Sequence, residues 1–256
     1  MTPLAVTPLA MTGLARLVDQ VSVSQAVPPG WVVGAGGLVA LVLVAHSGLW
    51  RLAGKVITIA HEGGHALVSL MTGRQLEGIR LHADSSGVTR SRGRRSGPGL
   101  AATAAAGYIS PSALGAAAAW LLDAHYLTAM LWLTIVLLAA TLLVTRNAFG
   151  VLAVLVTGGG VLAVALFASV VVQAGFAYSS AWFLLFGGLR PVLELPRRTL
   201  KGRQGLSDAD HLFRLTRIPT GLWVGLFHLV SLAALVGGGL LLLPLHGHLP
   251  HVSVHP

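Results

Sequence analysis

The sequence predicts an all-α polytopic membrane protein of about six to seven transmembrane helices, with a small β-hairpin after one of them. Three observations lead there. Mean hydropathy is +0.78, with 54% hydrophobic and only 10% charged residues, a composition suited to lipid. Several apolar runs reach roughly 20 residues, enough to cross a bilayer. Inside lipid, runs of that kind must satisfy their backbone as helices. The basic residues behind the net charge of +9 lie mostly in segments between those runs, where they orient a membrane protein. The expected surroundings are therefore a lipid bilayer, with no nucleic-acid partner. The chain has no cysteine, which excludes disulfides, thiolate metal sites and a cysteine nucleophile.

The elements follow in order. Residues 1–30 open on the repeat Thr2-Pro3-Leu4-Ala5 and Thr7-Pro8-Leu9-Ala10 and read as a tail or an interfacial helix. Without a basic cluster in front, a cleaved signal peptide is not expected. Pro28-Pro29-Gly30 precedes a first span, Trp31 to Trp50. A second helix runs from about Lys55 to Thr72. The polar segment 74–97 holds Leu76 to His82, a turn signal at Asp84-Ser85-Ser86-Gly87, and Val88-Thr89-Arg90; it predicts a hairpin at the membrane surface. Further spans are expected at 98–122, 125–145, 148–172, 174–195 and 221–245. Pro111 should kink the first of these or end a half-helix. Asp123 and His125 fall in a solvated turn, and Gly158-Gly159-Gly160 reads as a packing notch. A basic loop, 196–220, separates the last two spans. Residues 31–245 thus form one membrane-embedded domain, followed by a His-rich tail, 246–256.

Within the second helix stands His61-Glu62-Gly63-Gly64-His65. Histidines four apart point from one helical face, one turn apart. Two neutral imidazoles so placed can grip one Zn²⁺, and Glu62 stands where it can take a proton from a metal-bound water. With 11 His and 3 Glu in 256 residues, chance would supply roughly 0.005 such matches. Polar groups in hydrocarbon are also costly, about 2.5–3.5 kcal/mol for a central charge. Gly63 and Gly64 read either as close packing, with Ala60 and Gly64 as a small-xxx-small pair, or as room for a substrate backbone.

Charge gives an orientation. If seven spans alternate, the loops 73–97, 145–148 and 196–220 share one side with the N-terminal tail. They carry 6, 1 and 6 basic residues, against Arg51 and Lys55 opposite. Positive loops stay in the cytoplasm, which would put His61 and His65 roughly 10–17 Å deep from that face at 1.5 Å per residue. A site there would be reached from the cytoplasm.

This combination resembles the site-2-protease family of intramembrane zinc metalloproteases, most closely its short bacterial peptidase M50B-like branch. The likeness spans roughly residues 55–215. It implies a bacterial cytoplasmic membrane, a membrane-anchored protein as substrate, room for a regulatory membrane partner, and Glu62 as the catalytic base. It also implies a third zinc ligand, an aspartate usually found in Leu-Asp-Gly. Asp208, in Ser207-Asp208-Ala209-Asp210-His211-Leu212, resembles that pattern with Ser207 and Ala209 in place of its neighbours. The family's Asn-x-x-Pro lead-in is missing upstream of Asp208; Asn147, the only asparagine, is its stand-in as a substrate-binding residue. Two other readings remain at this point: a non-catalytic membrane protein with a structural zinc site, in which Asp210 or His211 adds a ligand, and a metal or solute carrier.

Overall fold

The computed structural model describes residues 24, 25, 28–200 and 207–243. The expected N-terminal helix before residue 24 and the His-rich tail 246–256 lie outside them. Among the described residues there are eight helices and one two-stranded sheet. In chain order they are α1 Gly30–Ala45, α2 Ser47–Met71, β1 Gln75–Leu81, β2 Gly87–Arg92, α3 Pro98–Asp123, α4 Leu127–Val144, α5 Ala148–Phe167, α6 Val170–Leu200, α7 Asp208–Thr216 and α8 Thr220–Leu242.

Five helices are long and apolar enough to cross a membrane by themselves: α3, α4, α5, α6 through Leu195, and α8. Their starts follow local rules. Pro98 opens α3 at a position where its missing N–H costs nothing, and α3 then runs unbroken through Pro111. The break between α5 and α6 falls at Ala168-Ser169, a few residues before the expected one. α5 runs on through Gly158-Gly159-Gly160. Gly159 and Gly160 have no neighbour where a Cβ would stand, so the triplet is no packing notch at those two positions.

Residues 31–72 depart further from expectation. Instead of two crossings divided near residue 51, α1 and α2 form one pair bent by 103° at His46, and only together do they satisfy the requirements for a span. Their ends show one traverse. Ahead of α1, Gln25 N–H donates to His125 O (2.9 Å) and Gln25 Oε1 accepts from Thr128 N (3.1 Å), at the turn after α3. At the far end of α2, Thr72 meets Gly99 at the start of α3. The pair therefore spans the length of α3 once. This places Gln25 at the end of the bundle opposite the hairpin base, whereas the sequence put the N-terminal tail with the basic loops. The bend has a local cause: His46 caps α2, its Nδ1 accepting from Leu49 N at 3.3 Å.

Packing is tightest where small residues face each other. Ala40, Ala119, Ala177, Ala181 and Leu185, all fully buried, belong to the central cluster that unites α1, α3, α4 and α6. On α1, Gly36 lies against Ser179, and on α3 Gly115 lies against Leu185. Large apolar residues such as Leu152, Val156, Leu166 and Phe167 on α5 stay exposed, as lipid-facing positions should.

The hairpin is antiparallel, with a bulge between Leu76 and Gly78. It folds back along α2, so that Ala83 O accepts from Lys55 Nζ (3.2 Å) and Ser85 O from Thr58 Oγ1 (2.9 Å). Strand alternation explains the seat: Ile79 and Leu81 are buried with Ile59 and Ala66 of α2 and Val154 of α5, while Arg80, Val88 and Arg90 face outward.

Candidate metal centre

His61 and His65 project from the middle of α2 toward α3 and α7. Helix α7 is started by Ser207, whose hydroxyl accepts from Asp210 N (3.2 Å), and the Asp210 carboxylate in turn accepts from Ser207 N, which closes a capping box. Ser207, and not Asp208, is the N-cap. Asp210 Oδ1 also accepts from Thr220 Oγ1 (3.4 Å). Asp208 is thus left in the first turn, free of capping. Ala209 and Leu212, fully buried in one cluster with Tyr108 of α3 and Phe227 of α8, hold the turn against the bundle.

The result is a triangle of donor atoms. His61 Nε2 and His65 Nε2 are 3.1 Å apart, and Asp208 Oδ2 lies 3.1 Å from the first and 3.3 Å from the second. Tetrahedral ligands at metal–ligand distances of about 2.0–2.1 Å stand roughly 3.3 Å from each other, so the three edges fit one ion. Among the described residues these three make up the group able to hold a metal. Burial would raise the pKa of the Asp208 carboxyl, but the two imidazoles beside it outweigh burial and hold it well below the usual carboxylate range.

Three groups on α3 fix the imidazoles. His65 Nδ1 lies 2.6 Å from Thr103 O; donation of Nδ1–H to that carbonyl leaves the Nε2 lone pair for a metal. Tyr108 packs edge-on against His61, ring centroids 4.9 Å apart at 88°, and stacks on Phe227 from behind. Gly107 leaves the space: a Cβ there would overlap His65 Nε2 and stand 2.6 Å from His61 Nε2. Gly64 serves helix packing, since a Cβ would overlap Ser110 Oγ of α3, while Gly63 has only Thr141 Oγ1 nearby, at 3.8 Å.

Glu62, 4% exposed, lies on the hairpin side of α2. Its Oε2 accepts a hydrogen bond of 2.6 Å from Thr89 Oγ1, and its backbone carbonyl accepts from the same hydroxyl at 3.0 Å. Asn147 is engaged elsewhere. Its carboxamide brackets the outer edge of β1, donating to Leu81 O (2.7 Å) and accepting from Leu81 N (3.1 Å). His61, Glu62 and His65 of the histidine motif and Asp208 are therefore brought together, and Asn147 supports the strand behind them. Thr103, Gly107, Tyr108 and Thr89 carry no motif of their own, so nothing in the sequence marks them as neighbours of the site.

Residues 34–238, most of the chain, match the family described as peptidase M50B-like. The chain belongs to the peptidase M50B-like family. No curated protein and no solved structure matches it. Membership and the helices long enough to span a bilayer make this a multi-pass membrane protein of a peptidase family, and His61, His65 and Asp208 give that M50B-like peptidase a place for a metal ion.

Proposed function

We propose that this chain is a zinc metalloendopeptidase that cuts a peptide bond of a membrane-anchored protein within the bilayer. The observation that carries the reading is the donor triangle of His61, His65 and Asp208 with a buried glutamate beside it. Two imidazoles and one carboxylate suit zinc, and three protein ligands are the number that catalytic zinc sites use. Zinc, when bound, supplies Lewis acidity, which brings the pKa of water down to about 7. Glu62 takes the proton that water gives up and returns it to the departing amine. Among the described residues no donor reaches Glu62 Oε1, so that oxygen is open for the transfer.

Depth supports an intramembrane site. Thr103 and Gly107, which touch the histidines, lie five and nine residues into α3, roughly 8–14 Å from its start at 1.5 Å per residue. A substrate helix would have to unwind to present an amide there, and the hairpin offers it a strand partner. Ile79 O accepts from Arg146 N, and Leu81 pairs with Asn147, so both residues direct their backbone groups away from β2. Their partners in register, Thr89 and Gly87, therefore direct theirs to the opposite edge. An extended substrate could add to that edge. The proposed setting is the bacterial cytoplasmic membrane, with the site reached from the cytoplasm.

A structural zinc site would call for a fourth protein ligand. Of the two candidates in the sequence, Asp210 and His211, Asp210 is committed to Ser207 and Thr220. The test is cleavage of a co-expressed single-span reporter. Wild type should cut it, and Glu62→Gln should lose 10²-fold or more of the rate while keeping its zinc. Wild-type-like cutting by Glu62→Gln would end this mechanism.

A further inference from the structure

The hairpin touches Glu62 at two inward-facing positions of β2, and neither contact is explained by packing alone. Thr89 Oγ1 donates to Glu62 Oε2 at 2.6 Å and shares its proton with the Glu62 carbonyl at 3.0 Å. Two residues earlier, Gly87 passes so close that a Cβ would stand 2.5 Å from both Cγ and Oε1 of Glu62. The strand is thus cut to the shape of this side chain, with a hydroxyl on one oxygen and a bare backbone beside the other.

We propose that Thr89 is a positioning residue for Glu62, holding Oε2 so that Oε1 alone is presented for proton transfer. The inference rests on the proteolytic reading above. A glutamate has three side-chain torsions, and a single charge-assisted O–H···O⁻ bond at this length is among the stronger ways to fix one oxygen. Gly87 completes the device from the other side, because any larger residue there would displace the carboxylate it borders. Thr89 does not need to seat the hairpin. Ile79 and Leu81 are buried, Ser85 O and Ala83 O are held by Thr58 and Lys55, and Leu81 is held by Asn147. The strand therefore arrives at Glu62 already placed, which allows the hydroxyl to act on orientation.

Thr89→Val, which keeps the branched shape, removes the hydroxyl, and Thr89→Ser restores it. With a single-span reporter, Thr89→Val should lower kcat about 10-fold, part of the full general-base effect, with KM within about two-fold and zinc content unchanged. Thr89→Ser should stay within about three-fold of wild type. In a Glu62→Gln background, Thr89→Val should cost nothing more, because residues acting as a unit are not additive. A readout without turnover is available: the chain has only three glutamates, so carboxyl-labelled glutamate gives three carbon resonances, with that of Glu62 assigned by Glu62→Gln. That line should shift in Thr89→Val and stay in Thr89→Ser. If Thr89→Val fails to retain metal, Thr89→Ala carries the same comparisons. Wild-type kcat in the valine variant, an unmoved Glu62 line, or an equal loss in the Glu62→Gln background would overturn the inference. Wild-type protein that never cuts would instead overturn the protease reading, while the resonance still reports on the contact.

Discussion

Asp208 and Asp210 stand two residues apart on one helical turn and are held by different partners. Asp210 belongs to the capping box of α7, and Asp208 faces His61 and His65. Asp208→Ala should therefore lose most bound zinc and all cleavage, since two histidines make a poor catalytic site. Asp210→Ala should keep its zinc and lose about 1 kcal/mol of local helix stability with the cap. Metal analysis of the purified variants checks both, and full zinc in Asp208→Ala would remove this residue from the site. His61 and His65 were legible as a pair because four-residue spacing fixes a shared face on any helix, and Glu62 through the motif that the two histidines frame. Asp208 was legible only through a likeness, since its approach depends on where α7 docks. Gly107 and Thr89 were illegible for the same reason: what they touch lies on another element, at no fixed separation in sequence.

At the scale of elements, the joint between α1 and α2 depends on Arg190 of α6. Its guanidinium donates to Val44 O in the last turn of α1, lies 4.5 Å from the ring centre of Trp50, and pairs with Glu194 at 3.4 Å. A cation at a helix C-terminus also opposes the helix dipole. Arg190→Met should destabilise the protein by about 1.5–3 kcal/mol, the range for hydrogen bonds to charged groups, read as a lower melting temperature in detergent. An unchanged melting temperature would show that the joint stands without it. The spans α3, α4, α5, α6 and α8 were legible from apolar length alone. The bend was not, because His46-Ser47-Gly48 breaks the helix without a proline, and apolar residues continue on either side. The hairpin's existence was legible from its turn residues, but not its seat: Ile79 and Leu81 read as an imperfect alternation until α2 and α5 supply the surface that buries them.

At the scale of the whole molecule, the hairpin base with Ser96 lies at one end of the bundle, and the turn at Ala168-Ser169 lies at the other. Under the proposed setting, the excess of basic residues on the hairpin side puts that side in the cytoplasm. The chain is free of cysteine, so single cysteines report cleanly. We expect Ser96→Cys to resist a membrane-impermeant thiol reagent in intact cells and react after lysis, and Ser169→Cys to react in intact cells. The reverse pattern would invert the orientation. The side proposed for the polar loops rests on arginine counts; the side of Gln25 relative to them was not legible, because it depends on whether 31–72 crosses once or twice. The central claim, that cutting depends on a metal held by His61, His65 and Asp208, is tested most directly with purified protein in liposomes containing a single-span reporter. The rate is measured as isolated, after a chelator has stripped the metal, and after zinc is returned. We expect cutting to disappear with the metal and to return with about one zinc per chain, as three protein ligands and one open position require. Cutting that survives complete removal of metal would contradict the account.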